Sequence, residues 1–336
     1  MIAKLTAPSS IGETTLDLLR LLSDGQFHSG SVVAATLGVS RTAIWKQVKL
    51  LEAIGLEVFS VRGKGYRIPG GVDLIDGARL EKALHQQALS SIECLQLSVC
   101  SGSTNSDAMD AFRHGYHRAL CVTEQQTQGR GRRGRTWASP FAANLCFSLA
   151  WRFSVGVAAL EGLSLVVGMA IRSALAELGL SNVTLKWPND VLIELKKLAG
   201  VLIEVSGDTS IESQVVIGIG VNVAMPAKMA SEIDQPWTDL RSQGLVCTRT
   251  DLLIMLLKHL LPALSEFEKR GFAHFKQQWN DADAFKGQVV CVKTLSQSWE
   301  GVCQGVNDSG ALLLKGASGL QALHGGELSV RLAESS

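Results

Sequence analysis

Gly129-Arg130-Gly131-Arg132-Arg133-Gly134-Arg135, continued by Thr136-Trp137-Ala138-Ser139-Pro140, is the most informative stretch of this 336-residue chain. It fits G-x-G-x-x-G and follows a predicted strand, Ala119–Glu124. A dinucleotide fingerprint, however, must open a helix whose N-terminus holds the pyrophosphate. Trp137-Ala138-Ser139-Pro140 is a poor helix start, and the next acidic residue is Glu161. Four arginines would also crowd a site built for close backbone approach. A Rossmann fold is therefore excluded, and no G-x-x-x-x-G-K-[ST] occurs for a P-loop. Glycine loosens the segment and the arginines repel one another, so a polyanion such as ATP or an acyl phosphate would order it. The alternative is a solvated, arginine-rich tether for nucleic acid.

Two further anchors flank this loop. Lys186-Trp187-Pro188-Asn189-Asp190 ends a predicted strand, and Lys196-Lys197-Leu198-Ala199-Gly200 begins the next. Asp190 on the turn suits Mg²⁺, a proton or an amine, and the Lys197 ammonium suits a bridge between two anions. A plain Pro-Asn-Asp turn and a wet lysine pair are the ordinary alternatives. Upstream, Ser101-Gly102-Ser103-Thr104-Asn105 precedes a short helix. Ser103 or Thr104 fits as its cap, and the same hydroxyls fit a neutral polar head group.

The rest of the chain reads as an α/β multidomain protein. Residues 1–70 form a winged helix-turn-helix, 72–282 a mixed α/β domain, and 284–336 a small β-barrel of short strands over 289–292, 301–306, 311–314 and 328–332. In the central domain the predicted strands are 119–124, 145–151, 183–186, 198–205 and 215–223, and the long helices are 161–178 and 251–269. Hydrophobic residues make up 46% and charged residues 19%, which excludes a long disordered protein. Seven cysteines, with no C-x-x-C, argue against a disulfide framework or a zinc site. No secretory signal and no uninterrupted apolar run of spanning length is read. The expectation is a soluble, cytoplasmic protein with no membrane partner.

In the N-terminal unit Ser29 and Ser40 cap the second and third helices, and Gly38-Val39 turns between them. The third helix exposes Arg41, Thr42, Trp45, Lys46 and Lys49 while Ile44, Val48 and Leu51 face inward. With Ser40 at its start, that face suits a major groove, and Arg62, Lys64 and Arg67 on the hairpin suit phosphates. The whole chain carries a net charge of only +1, whereas residues 1–70 hold eight Lys and Arg against five Asp and Glu. A winged helix that binds protein or only packs is the alternative.

Taken in order, Ser103-Thr104-Asn105, Glu124-Gln125-Gln126, Gly129–Arg135, Lys186–Asp190, Lys197–Gly200 and Gly218-Ile219-Gly220-Val221-Asn222 resemble the biotin–protein ligases. With the winged helix in front, residues 12–332 resemble the bacterial bifunctional branch, which also represses biotin synthesis. The resemblance implies a class II synthetase-like central domain and an SH3-like barrel. It implies biotin as substrate, ATP and Mg²⁺ as cofactors, and biotinoyl-5′-AMP as both intermediate and corepressor. Transfer would go to a lysine of the biotin carboxyl carrier protein of acetyl-CoA carboxylase, and repression would use an adenylate-bound homodimer on operator DNA. It places Ser103, Thr104, Asn105 and Gln126 around the ureido ring. Gly129, Arg130, Gly131, Arg132 and Trp137 fall in the closing loop, Lys197 on the carboxylate and α-phosphate, and Gly200 and Asn222 in the flanking motifs. Trp237 would cover the adenine. Arg132, Lys197 and Asp190 would carry the chemistry, with Asp190 also near the metal. Within the adenine loop, Met225–Pro236 is more polar than the family's usual cluster, Lys228 and Glu232 lying near Met229 and Ile233. The rival functions are a lipoate or other carboxylate ligase, a biotin-sensing repressor without ligase activity, and a ligase without an operator.

Overall fold

A computed structural model describes residues 2–4, 11–86, 89–206, 211–231, 233–294, 297–325 and 328–333. The chain opens with a two-residue strand, β1 (Ala3–Lys4). Helices α1 (Glu13–Leu22), α2 (Gly30–Thr36) and α3 (Arg41–Ala53) follow, closed by the hairpin β2 (Phe59–Val61) and β3 (Gly65–Arg67). Ser29 and Ser40 cap as expected, accepting from the amides of Val32 at 3.2 Å and Ala43 at 3.1 Å. Leu18, Leu19, Leu22, Val33, Ile44, Val48 and Leu51 bury together. That leaves Ser40, Arg41, Thr42, Trp45, Lys46 and Lys49 exposed on α3, with Arg62 and Lys64 exposed on the hairpin turn. Trp45 carries the Lys49 ammonium over its ring at 5.9 Å. The unit's core runs on into Val99, Cys100 and Phe141 of the central domain, so the two are packed together.

The central domain contains α4 (Gly77–Leu84), β4 (Cys94–Ser101), α5 (Thr104–Arg113), β5 (Arg118–Gln126) and β6 (Asn144–Phe153). It continues with α6 (Leu163–Glu177), β7 (Thr184–Lys186), β8 (Asp190–Ile193), β9 (Lys196–Ser206), β10 (Ser213–Asn222), α7 (Arg249–Arg270) and α8 (Lys276–Ala282). Eight strands make one sheet in the order β1-β4-β5-β6-β10-β9-β8-β7. Only the β1–β4 and β4–β5 pairs are parallel. β1 therefore edges the central sheet, away from the helical unit it precedes in the chain. Strands β4 and β8 were not expected from the sequence.

Side chains alternate across the sheet. Leu145, Phe147, Leu149 and Trp151 of β6 and Val215, Ile217, Ile219 and Val221 of β10 face α6 and α7 in the main core. The other face is lined by small residues: Cys146, Ser148 and Ala150 pair with Gly220, Gly218 and Val216. Helix α5 covers one end of that face through Ala108, Ala111 and Phe112, and a cleft lies beside it. The segment Val157–Glu177 has the length and hydropathy of a membrane span. It is a core helix, with Val166, Val167, Ala170, Ile171 and Ala174 buried against the sheet and α7.

Arg249 begins α7 and is fully buried. Its guanidinium donates to the Asp73 carbonyl at 2.8 Å, to the Asn144 carbonyl at 3.0 Å, and to the Glu124 carboxylate. Glu124 in turn accepts from the Ile75 amide at 2.9 Å. The connector from the winged helix is thus pinned to β5 and β6. All seven cysteines are free thiols.

Strands β11 (Val289–Lys293), β12 (Ser298–Val306), β13 (Leu312–Gly316), β14 (Gly319–Leu323) and β15 (Ser329–Leu332) make the C-terminal antiparallel sheet, ordered β14-β13-β12-β11-β15. The Trp187 indole donates to the Gly310 carbonyl at 3.0 Å and ties this sheet to the cleft.

Candidate active site

Glycine in a strand marks a close approach, and three of them floor the cleft. Gly220 and Gly200 are cross-strand partners on β10 and β9. A Cβ on Gly220 would stand 2.5 Å from the Trp137 ring, and one on Gly200 would stand 3.1 Å from Lys197 Cε. The third, Gly218, admits the Asn105 side chain. Small residues therefore let Trp137, Lys197 and Asn105 lie flat on the sheet.

One end of the cleft is polar and buried. Ser103 holds the N-cap position of α5, but its side chain makes no cap bond. The hydroxyl is buried on the cleft wall, so the capping alternative does not hold. The Thr104 amide donates to Gln126 Oε1 at 2.9 Å. Ser148 Oγ lies 2.7 Å from Thr104 Oγ1 and 2.6 Å from Asn105 Oδ1. Such a cluster of donors and acceptors suits a neutral polar head group. Ser148 was missed in the sequence: nothing in a strand of apolar neighbours marks it until register places it beside Gly218.

The segment from Gly129 to Trp137 is a small hairpin over the cleft. Gly131 N donates to Arg135 O at 2.7 Å, and Trp137 N to Gly129 O at 2.9 Å. Between them Arg132–Gly134 is a single 3₁₀ turn, with no helix of the kind a dinucleotide site needs. Arg132 donates to Asn189 Oδ1 at 3.2 Å. Burial lowers the Arg132 pKa, while nearby Asp190 works the other way. Arg130 meets Glu204 at 3.2 Å.

Lys197 Nζ lies 2.6 Å from Asp190 and 5.6 Å from the Trp137 ring centre. Lys186 lies 3.6 Å from the same carboxylate. Burial depresses the Lys186 pKa, and Asp190 partly restores it. Asp190 opens β8 and not a turn, and it has two lysines as neighbours. Among the described residues no three His, Cys, Asp or Glu side chains gather as a metal cage. One carboxylate fits a magnesium ion that keeps most of its ligands on a substrate's phosphates.

The cleft has a volume of about 400 Å³ and lies beside a second cavity of about 780 Å³. Gln126, Trp137 and Lys197 line both. Met225, Met229, Ile233 and Trp237 form an apolar wall of the second cavity. Asp234 and Gln235 of the same segment line that cavity too, so its wall there is mixed; Glu232 and the Lys228 side chain lie outside the described residues. Asn222 donates to the carbonyls of Lys197 at 3.3 Å and Thr238 at 3.1 Å, and Lys197 N donates to Pro236 O at 2.9 Å. Ile54 and Gly55, just past α3, line the same cavity. Arg331 on β15 lines the first cavity, another residue the sequence did not reveal.

Residues 99–222 match the biotin/lipoate A/B protein ligase family, 14–67 an HTH domain, and 286–331 the biotin protein ligase C-terminal domain. The chain is 38% identical to the bifunctional ligase/repressor BirA of Escherichia coli, over 95% of this chain and 98% of that one. It is 28% identical to the Bacillus subtilis protein of the same name, over 93% and 97%. The Aquifex aeolicus biotin protein ligase, solved with biotin and ATP, superposes with a TM-score of 0.61 at 28% identity, covering 71% of this chain and 99% of that one. With its helix-turn-helix unit, glycine-floored cleft and C-terminal β domain, this chain belongs to the biotin–protein ligase family, in its bifunctional ligase/repressor branch.

Proposed function

We propose that the protein adenylates biotin with MgATP, passes the biotinoyl group to a lysine of a biotin carboxyl carrier protein, and with biotinoyl-5′-AMP bound represses biotin synthesis. The observation that carries the chemistry is the pair of neighbouring cavities with Lys197 in the lining of both. The polar end of the cleft takes the ureido ring, the Trp237 side of the second cavity takes adenine, and the reacting carboxylate and α-phosphate meet at the ammonium.

A biotin carboxylate oxygen attacks the α-phosphorus, and the bond to pyrophosphate breaks. Two anions must come together, and Lys197 and Arg132 offset their repulsion and the charge growing on the phosphoryl oxygens. A magnesium ion bound to the polyphosphate would supply charge shielding there, with Asp190 the carboxylate that would face it. As the phosphate draws Lys197 away, Asp190 keeps Lys186 beside Oδ2 and has Oδ1 free to take a proton from the incoming lysine ammonium. The amine then attacks the acyl carbon, and the bond to AMP breaks. The hairpin over the cleft keeps water from the mixed anhydride.

For repression, Ser40, Arg41, Thr42, Trp45, Lys46 and Lys49 enter a major groove and Arg62 and Lys64 meet phosphates. One winged helix makes few base contacts, so a two-fold dimer on a palindromic operator is required. β8 pairs with β9 only between residues 196 and 200, so the outer edge of β9 beyond them is not in that ladder. It lies beside the arginine hairpin and supplies a strand edge for a second copy. The free thiols suit a reducing cytoplasm.

The test is pyrophosphate release from ATP, first with biotin and then with lipoate, followed by label transfer to a carrier domain. Release with lipoate and none with biotin would overturn the head-group assignment. Sedimentation with and without biotinoyl-AMP tests the dimer, and a monomer in both at micromolar protein would refute it.

A further inference from the structure

Glu204 lies on β9, outside every motif singled out in the sequence, yet it touches both Asn105 of the head-group site and Arg130 of the hairpin. Its register partner is Val216, two residues before Gly218 on β10. It therefore shares the small-residue face with Ser148 and Gly218. Its Oε2 accepts from Asn105 Nδ2 at 2.7 Å and from Arg130 Nη2 at 3.2 Å. Arg130 also donates to Ser106 Oγ at 3.3 Å, one residue beyond Asn105.

A carboxylate only accepts hydrogen bonds. Glu204 therefore requires the amide nitrogen of Asn105 to point toward it and turns Oδ1 toward Ser148, 2.6 Å away. The amide has two orientations that differ in what they offer a ureido group, and Glu204 selects one. The same oxygen fixes the first arginine of the hairpin, while Asn189 holds Arg132 on the other side.

We infer that Glu204 is a positioning residue: it sets the Asn105 amide for the ligand's polar head and ties the arginine hairpin to that same residue. The inference rests on the ligase reading above, but part of its test needs no catalysis. Occupancy of the head-group site and order in the hairpin are joined through one carboxylate, which neither contacts the reacting atoms nor carries the chemistry.

Two variants separate its two bonds. Glu204→Ala removes both. The KM for biotin in pyrophosphate release rises about tenfold, one lost charge-assisted hydrogen bond, with kcat within about threefold. Hydrogen exchange of the 129–137 amides in the ligand-free protein also speeds up. Glu204→Gln keeps an acceptor for Asn105 but loses the charge facing Arg130. The biotin KM then stays within about twofold, while the hairpin amides still exchange faster. Wild-type KM and wild-type exchange in Glu204→Ala would overturn the inference. Should that variant not fold, unchanged hairpin exchange in Glu204→Gln overturns it. An inactive wild-type chain would instead strike the ligase reading and leave the exchange result to judge Glu204.

Discussion

Replacing Gly220 by alanine adds one methyl group to the cleft floor. Gly220 sits in extended backbone on β10, so alanine brings no conformational strain and the effect is steric. The new Cβ would lie 2.5 Å from Trp137 Cε2 and 2.6 Å from Cζ2. Carbon atoms rest at roughly 3.5 Å or more, so the indole must move by about 1 Å. The ring cannot sink into the sheet and must rise into the cleft, carrying the end of the hairpin and crowding the Lys197 ammonium. A displacement of about 1 Å at a reacting centre can cost about a hundredfold in rate. Overpacking of this kind costs about 1–3 kcal/mol of stability when the ring cannot yield. Pyrophosphate release should therefore fall by between about tenfold and a hundredfold in Gly220→Ala. Gly200→Ala is the milder contrast: its new Cβ meets the end of Lys197 at 3.1 and 3.2 Å and Trp137 Cζ3 at 3.3 Å, contacts relieved by a few tenths of an ångström, so it should lose less than Gly220→Ala. Stopped-flow pyrophosphate release and a melting curve on each variant decide the matter. Wild-type rate and melting temperature in Gly220→Ala would refute the packing of Trp137 described above, as would a larger loss in Gly200→Ala.

Lys197→Ala should slow adenylation by about a hundredfold or more, the scale for a preorganised charge contact; a wild-type rate of pyrophosphate release would remove Lys197 from its role. Arg132→Gly should speed adenylate dissociation far more than it weakens biotin, because the guanidinium meets phosphate only in the adenylate; dissociation rates and stray labelling of bystander proteins measure this, and an unchanged rate counts against it. Arg249→Met should destabilise the fold by about 3–5 kcal/mol by leaving Glu124 buried without its partner. Urea denaturation reads that loss, and Glu124→Gln on the Arg249→Met background should recover part of it.

The parts of this molecule written locally were legible in its sequence. Ser29 and Ser40 cap because their positions before apolar-periodic runs dictate it, and the hairpin of the wing follows from Arg62-Gly63-Lys64-Gly65. β4 went unread although Leu95, Leu97 and Val99 alternate with Gln96 and Ser98 as a strand should, so its pattern was available in the sequence. β8 has four residues and merged with the turn before β9. The site residues carried by motifs, Ser103 to Asn105, Gln126, Lys197 and Trp137, converge on one cleft. Ser148 and Glu204 lie 43 and 99 residues from Asn105 along the chain, and only strand register brings them together. The glycines of Gly218-Ile219-Gly220 were the available signal, since a central strand gives up packing at such positions only to admit something close.

The first strand has a consequence for taking the protein apart. Ala3 and Lys4 pair with β4, Ile2 is buried in the main core, and Lys4 meets Glu81 at 2.7 Å. The ligase is therefore discontinuous in the chain, and the DNA-reading unit is an insertion between its first two strands. A chain cut to begin near residue 72 loses a piece of the enzyme along with the repressor. It also bares the edge of β4, whose unpaired amides and carbonyls invite association with other chains. Loss of activity or solubility in such a fragment says nothing about communication between repressor and ligase. The cleaner dissection is internal: residues 1–10 retained and the helical unit replaced by a short flexible bridge. Grafting works in the same geometry. A different DNA-binding module placed in that slot would be held at both ends, where an ordinary fusion is held at one.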